Sequence, residues 1–111
     1  MDCTTLLLAL AEAKASLSYS VKDDCPIIHV YVATSQWLDT FRTELGMHKP
    51  WLLQLLMLTI VHRASAETLL GWHDWYEERA GILQYMAGLS RHEAEQQAFE
   101  LLRQREQQKT S

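Results

Sequence analysis

Leu6, Leu7, Leu10, Ala13 and Leu17 recur at steps of three and four, with Glu12 and Lys14 turned the other way, and this spacing predicts an amphipathic first helix over residues 4–18. A turn-like Val21-Lys22-Asp23-Asp24 follows. Beyond Pro26, Ile28, Val30 and Val32 alternate with Ile27, His29 and Tyr31, the period of two that predicts a strand near residues 27–33. One strand alone leaves its backbone groups unsatisfied, and no second convincing run is visible. The segment therefore either begins a helix or pairs with a second copy, which leaves a homodimer open.

Thr34 or Ser35 can cap a helix over residues 36–45 that gathers Trp37, Leu38, Phe41 and Leu45 on one face, with Gly46 suited to a left-handed stop. Pro50 opens PWLLQLLMLTIVHR, apolar around nearly its whole circumference and therefore predicted to be a central helix with Leu56 buried at its middle. Ser65 restarts a long helix to about Ala87, along which Leu69, Trp72, Tyr76, Leu83 and Met86 repeat at helical steps. Gly88 then supplies positive φ, and Ser90 with Glu93 forms a capping box for a last helix over residues 91–107. The fold class this predicts is all-α: four or five helices in one domain over residues 1–111, with room for one short strand and a tail that frays from 107 to 111.

Composition narrows the function classes. The net charge of −4 has no compensating basic block, since the cations Arg91, Arg103, Arg105 and Lys109 of the last helix are matched by Glu93, Glu95, Glu100 and Glu106. That balance describes a solvated, ion-paired helix better than one built to dock on DNA, so nucleic acid is an unfavoured partner. The apolar run near the start carries Asp2 and no cation before it, unlike a secretory signal, and the most apolar stretch, residues 51–61, is about half the length a bilayer requires. Neither a membrane nor an export route is indicated. Cys3 and Cys25 match neither a zinc knuckle nor a redox CxxC pair; two thiols in 111 residues suit a reducing cytoplasm, although one bridge between them stays open.

No convergent chemistry appears. His73 and Glu77, four apart, offer two metal ligands and no third, which reads as an ordinary surface pair. Cys25 and Ser65 are conceivable nucleophiles with His29 or His62 as bases, but nothing in their spacing fixes a geometry and no oxyanion loop accompanies them. Glu77 and Glu78, being adjacent, project about 100° apart on a helix and cannot face each other across a site. Four glycines write neither a GxGxxG nor a GxxxxGK loop. The expectation is a non-enzymatic protein with no cofactor and no metal.

The four tryptophans stand out. Core packing explains most of such residues, while Trp72, Trp75 and Tyr76, interleaved with His73, Asp74 and Arg79, also make the aromatic and arginine mixture of an interface hot spot. Trp72, Trp75, Tyr76 and Arg79 are thus the candidate partner-binding residues.

The string YEERAGILQYMAGLSRHEAEQQAFEL over residues 76–101 resembles a short segment, ERAAI-x-E-[YF]-D-G-G-L-x-R-x-E-A-E, of accessory and replication proteins of proteobacterial phages, plasmids and integrated elements. The likeness runs through Glu78, Arg79, Ala80, Ile82, Tyr85, Gly88, Leu89, Arg91, Glu93, Ala94 and Glu95, and departs at Met86-Ala87, where the pattern has Asp-Gly. It implies an origin in mobile DNA and carries no catalytic motif. Together these readings predict a small cytoplasmic protein of a bacterial mobile element that binds another protein, as a regulator or as an inhibitor of a host nucleic-acid-handling or defence complex. The alternative is a DNA-associated replication accessory.

Overall fold

The computed structural model describes residues 2–32, 35–58 and 63–110, without the side chains of 35–40, 109 and 110. Thr34, Thr59 and His62, and the side chains of Trp37, Leu38 and Lys109, lie outside the described residues. The all-α expectation is corrected: the described residues form five helices and a three-stranded antiparallel sheet, a mixed α/β fold. Two compact units divide the chain, residues 1–70 and 71–111.

The first unit opens with α1 (Cys3–Glu12), capped by the Asp2 carboxylate, which accepts from the Thr5 backbone N–H at 2.7 Å. The helix ends well before residue 18. Lys14 takes φ 55°, its N–H bonds the Ala11 carbonyl at 3.0 Å, and the Ala15 N–H reaches back to Leu10 at 2.9 Å, the paired bonds of a Schellman stop. A lysine occupies the left-handed position that glycine usually fills, so the stop carried no recognisable residue.

Leu17 consequently belongs to β1 (Ser16–Lys22), the partner that the strand over residues 27–33 lacked. In Ser16-Leu17-Ser18-Tyr19-Ser20-Val21 the apolar positions alternate, but serines fill the other face and mask the strand signal. Asp23 and Asp24, at φ 53° and 63°, make a two-residue turn of type I′ into β2 (Cys25–Tyr31), with Leu17 opposite Val30. Aspartate reaches this region because its short carboxylate bonds locally. No second copy is needed to complete this hairpin.

The helix α2 (Ser35–Met47) passes through Gly46 without stopping there, and α3 (Lys49–Leu56) starts with Pro50 in its first turn. The predicted central helix is shorter than the sequence implied: after residues 59–62, which are not described, Arg63–Ser65 form β3 on the far side of β1. The sheet order is β2-β1-β3. Leu52, Leu53, Leu55 and Leu56 of α3 are buried, as are Leu6, Leu7 and Leu10 of α1, and α3 packs on β1 and β2 while α2 packs against α1 and α3.

Ser65 caps α4 (Ala66–Met86), its Oγ accepting from the Thr68 N–H at 3.1 Å. In the second unit α4 continues to the turn, where Gly88 adopts φ +69°, and α5 (Arg91–Thr110) returns, helical beyond residue 107. Ser90 Oγ accepts from the Glu93 N–H at 3.2 Å, the expected cap. Ala80, Ala94, Ala98 and Leu102 are fully buried.

Leu56 is inaccessible to solvent, so Leu56→Ala is expected to cost roughly 2–5 kcal/mol, read from denaturant unfolding at constant slope. An unchanged midpoint would remove α3 from the core. Ser90→Ala, which deletes only a cap, is expected to cost about 1 kcal/mol in the same experiment.

Candidate functional site

Along α4, Trp75 and Arg79 lie one turn apart and share a face, whereas Tyr76 projects about 100° away from Trp75. That angle divides the sequence-predicted stripe in two. Tyr76 is only 7% exposed, and its hydroxyl donates to Glu95 Oε2 of α5 at 3.2 Å. Trp72 is half-buried and does not line the groove described below. Of the four candidates, only Trp75 and Arg79 come together at the surface.

The Tyr76 side of the hairpin is a polar clasp. Arg91, at the first turn of α5, donates from Nε to Glu95 at 2.7 Å, from Nη2 to Glu77 at 2.9 Å and from Nη1 to Gln84 at 3.4 Å. One guanidinium thereby ties α4 to α5, and the carboxylates in turn hold its pKa above the usual arginine value, Glu95 most strongly. His73, buried, lies 4.0 Å from Glu77 and stacks obliquely near Tyr76, with ring centroids 6.2 Å apart. Among the described residues no three His, Cys, Asp or Glu side chains gather as metal ligands.

The Trp75 side is open. The Cζ of Arg79 stands 5.1 Å from the Trp75 ring centroid and that of Arg105, from α5, stands 5.2 Å from it, so one indole holds two guanidinium groups. Leu101, Gln104 and Gln108 complete a groove of about 360 Å³. Among the described residues Arg79 has no carboxylate within ion-pair distance, and Arg105 has Glu106 at 4.0 Å. Two cations near one ring repel each other, and an anionic group placed between them relieves that repulsion. The groove can thus take a carboxylate on its arginines and an apolar side chain against Trp75 and Leu101.

Arg105 and Leu101 were not among the sequence candidates, although a signal for them existed. Trp75 lies thirteen residues before Gly88 and Leu101 thirteen after it, so an antiparallel hairpin turning at Gly88 sets the two opposite each other.

Among the described residues the considered nucleophiles acquire no catalytic setting. Ser65 is a helix cap, and Cys25 and His29 are both exposed and separated by about 13 Å of extended chain. His29 Nε2 instead lies 2.8 Å from Ser20 Oγ across the hairpin, and Arg63 covers the Tyr31 ring at 4.8 Å. Both cysteines are free thiols.

Burial foremost, then the charge and hydrogen bond of Glu95, push the Tyr76 hydroxyl's pKa well above the usual tyrosine value. The folded state therefore keeps a proton that the unfolded chain releases near pH 10, so this stabilisation is complete below pH 10 and is lost as the pH rises. Tyr76→Phe is expected to cost about 1 kcal/mol at pH 7 and to lose less stability than the parent between pH 9 and 11, followed by denaturant unfolding. Equal alkaline losses would mean that Tyr76 titrates as it does in water.

No helix among the described residues is long and apolar enough to cross a membrane. Comparison with protein-family models, with curated proteins and with solved structures finds no match for this chain.

Proposed function

We propose that this chain is a non-enzymatic protein-binding module that captures an acidic segment of a partner protein in the Trp75–Arg79–Arg105 groove. The observation that carries this reading is the single indole flanked by two guanidinium groups beside the apolar Leu101. Tryptophan and arginine are the side chains most enriched at the energetic centres of interfaces. An acidic regulator or an acidic subunit of a host complex fits that chemistry. The likeness of residues 76–101 to segments of phage and plasmid proteins supports an origin in a mobile element. Two free thiols support a reducing, cytoplasmic setting.

The replication-accessory alternative needs cations free to meet phosphates. Arg91 is paired with Glu77 and Glu95, and Arg103 with Glu100, which leaves little of α5 for a DNA backbone.

Trp fluorescence titration with an acidic probe peptide, Asp-Glu-Leu-Asp-Glu-Leu, tests the reading against a 20-base-pair duplex. The peptide is expected to saturate, and the double variant Arg79→Ala, Arg105→Ala to weaken it at least about tenfold with unfolding unchanged. Duplex binding at physiological salt is expected no tighter than about 10⁻⁴ to 10⁻⁶ M. Nanomolar, sequence-specific duplex binding would replace this function with the replication-accessory one.

A further inference from the structure

The hairpin turn fixes which way every backbone group of β2 points. In a two-residue turn the flanking residues, Lys22 and Cys25, form the hydrogen-bonded pair, and antiparallel pairing alternates from there. Cys25, Ile27, His29 and Tyr31 thus bond inward to β1, while Pro26, Ile28 and Val30 turn their backbone groups outward. The other side of β1 agrees: the Ala66 N–H donates to the Ala15 carbonyl at 2.9 Å, which puts Leu17, opposite Ala64, in the bonded register toward β3. No strand among the described residues pairs with the outer edge of β2. Ile28 and Val30 therefore offer a run of donors and acceptors of the kind a sheet uses to recruit another strand.

Beside that edge runs a groove of about 320 Å³ whose lining includes Ile28 and Val30 of β2, Arg42, Leu45 and Gly46 of α2, and Lys49 of α3. The side chains of the two outward-facing residues are thus also the apolar floor of the groove. Gly46 leaves its wall bare, with nothing within 4 Å of where a Cβ would stand. Both ionisable lining residues, Arg42 and Lys49, are cations, although the chain as a whole carries a net charge of −4.

We propose that the outer edge of β2 and this groove bind an extended peptide that adds a fourth strand, places an apolar side chain against Ile28, Val30 and Leu45, and sets a carboxylate on Lys49. Backbone bonds to Ile28 and Val30 supply affinity, and the groove selects the alternate side chains that point into it. The occupant is a single strand and not a second copy of the sheet, because α2 forms the far wall of the groove. This site is built from residues of the first unit, and the Trp75 groove from residues of the second.

The test is fluorescence anisotropy with a fluorescein-labelled Thr-Val-Thr-Val-Glu peptide bearing a free carboxyl terminus. Saturable binding is expected, accompanied by amide shifts at Ile28 and Val30. N-methylation of alternate peptide amides, which removes strand pairing and leaves charge intact, is expected to weaken binding at least about tenfold. Lys49→Glu is expected to do the same. Gly46→Leu fills the groove and replaces a helical glycine with a better helix former, so it is expected to weaken binding about as much while unfolding no earlier than the parent. Absence of saturable binding, equal affinity for the N-methylated peptide, or undiminished binding by Gly46→Leu would overturn the proposal. So would a stable dimer in sedimentation whose Ile28 and Val30 amides are protected without peptide, because the edge would then belong to a second copy.

Discussion

A three-stranded sheet holds together in water only when one of its faces is covered, and in this chain that requirement converges on Leu17. It sits in the central strand, opposite Val30 on one side and Ala64 on the other, and no part of it reaches solvent. The face it shares with Ile28 and Val30 must be sealed by apolar side chains, which the leucines of α3 supply. The opposite face is free to carry Ser18, Ser20, His29 and Tyr31, whose cross-strand hydrogen bonds satisfy polar groups that remain in contact with water. The short α3 and the one-sided sheet thus belong together, since four of the eight residues of α3 are buried leucines and the helix packs on β1 and β2.

The second unit solves a different problem with less apolar material. Three alanines, Ala80, Ala94 and Ala98, share its buried positions with Leu102, Tyr76 and His73, and the contact is reinforced by Arg91 reaching Glu77, Gln84 and Glu95 at once. Exposed ion pairs contribute little singly, but a guanidinium shared among three acceptors on two helices fixes their register. Glu77 and Glu95 are engaged on that side, and among the described residues Arg79 on the Trp75 side has no carboxylate within ion-pair distance. One helix thereby carries the polar clasp on one face and the open Trp75 groove on the other.

Net charge describes neither groove. The chain is acidic overall, yet Arg79 with Arg105, and Arg42 with Lys49, line grooves beside apolar side chains. Local potential rather than total charge decides which ligand is drawn to a cleft, and both clefts favour a carboxylate next to an apolar group. The grooves differ in what supplies directionality: stacked side chains in the hairpin, and backbone groups that no strand among the described residues pairs at the sheet edge.

Local chemistry was legible in the sequence wherever one residue type is required for a backbone state or a cap. Gly88 at positive φ, Ser90 at the start of α5 and Pro50 in the first turn of α3 followed from that chemistry alone, and the burial of Leu56 from the apolar run around it. The stop of α1 did not, because Lys14 takes a left-handed conformation that only its surroundings enforce, and with it the change from helix to strand at Ser16 was hidden. Leu17 completes a helical spacing and a strand alternation equally well, and only its pairing with Val30 decides between them. The candidate site divided in the same way. Trp75 and Arg79 were visible because they are one helical turn apart, but Tyr76, adjacent in sequence, turns to Glu95, and Arg105 arrives from another helix. Periodicity places residues on a face of their own element; which face meets which is decided by the packing of elements, a long-range property that no local window contains.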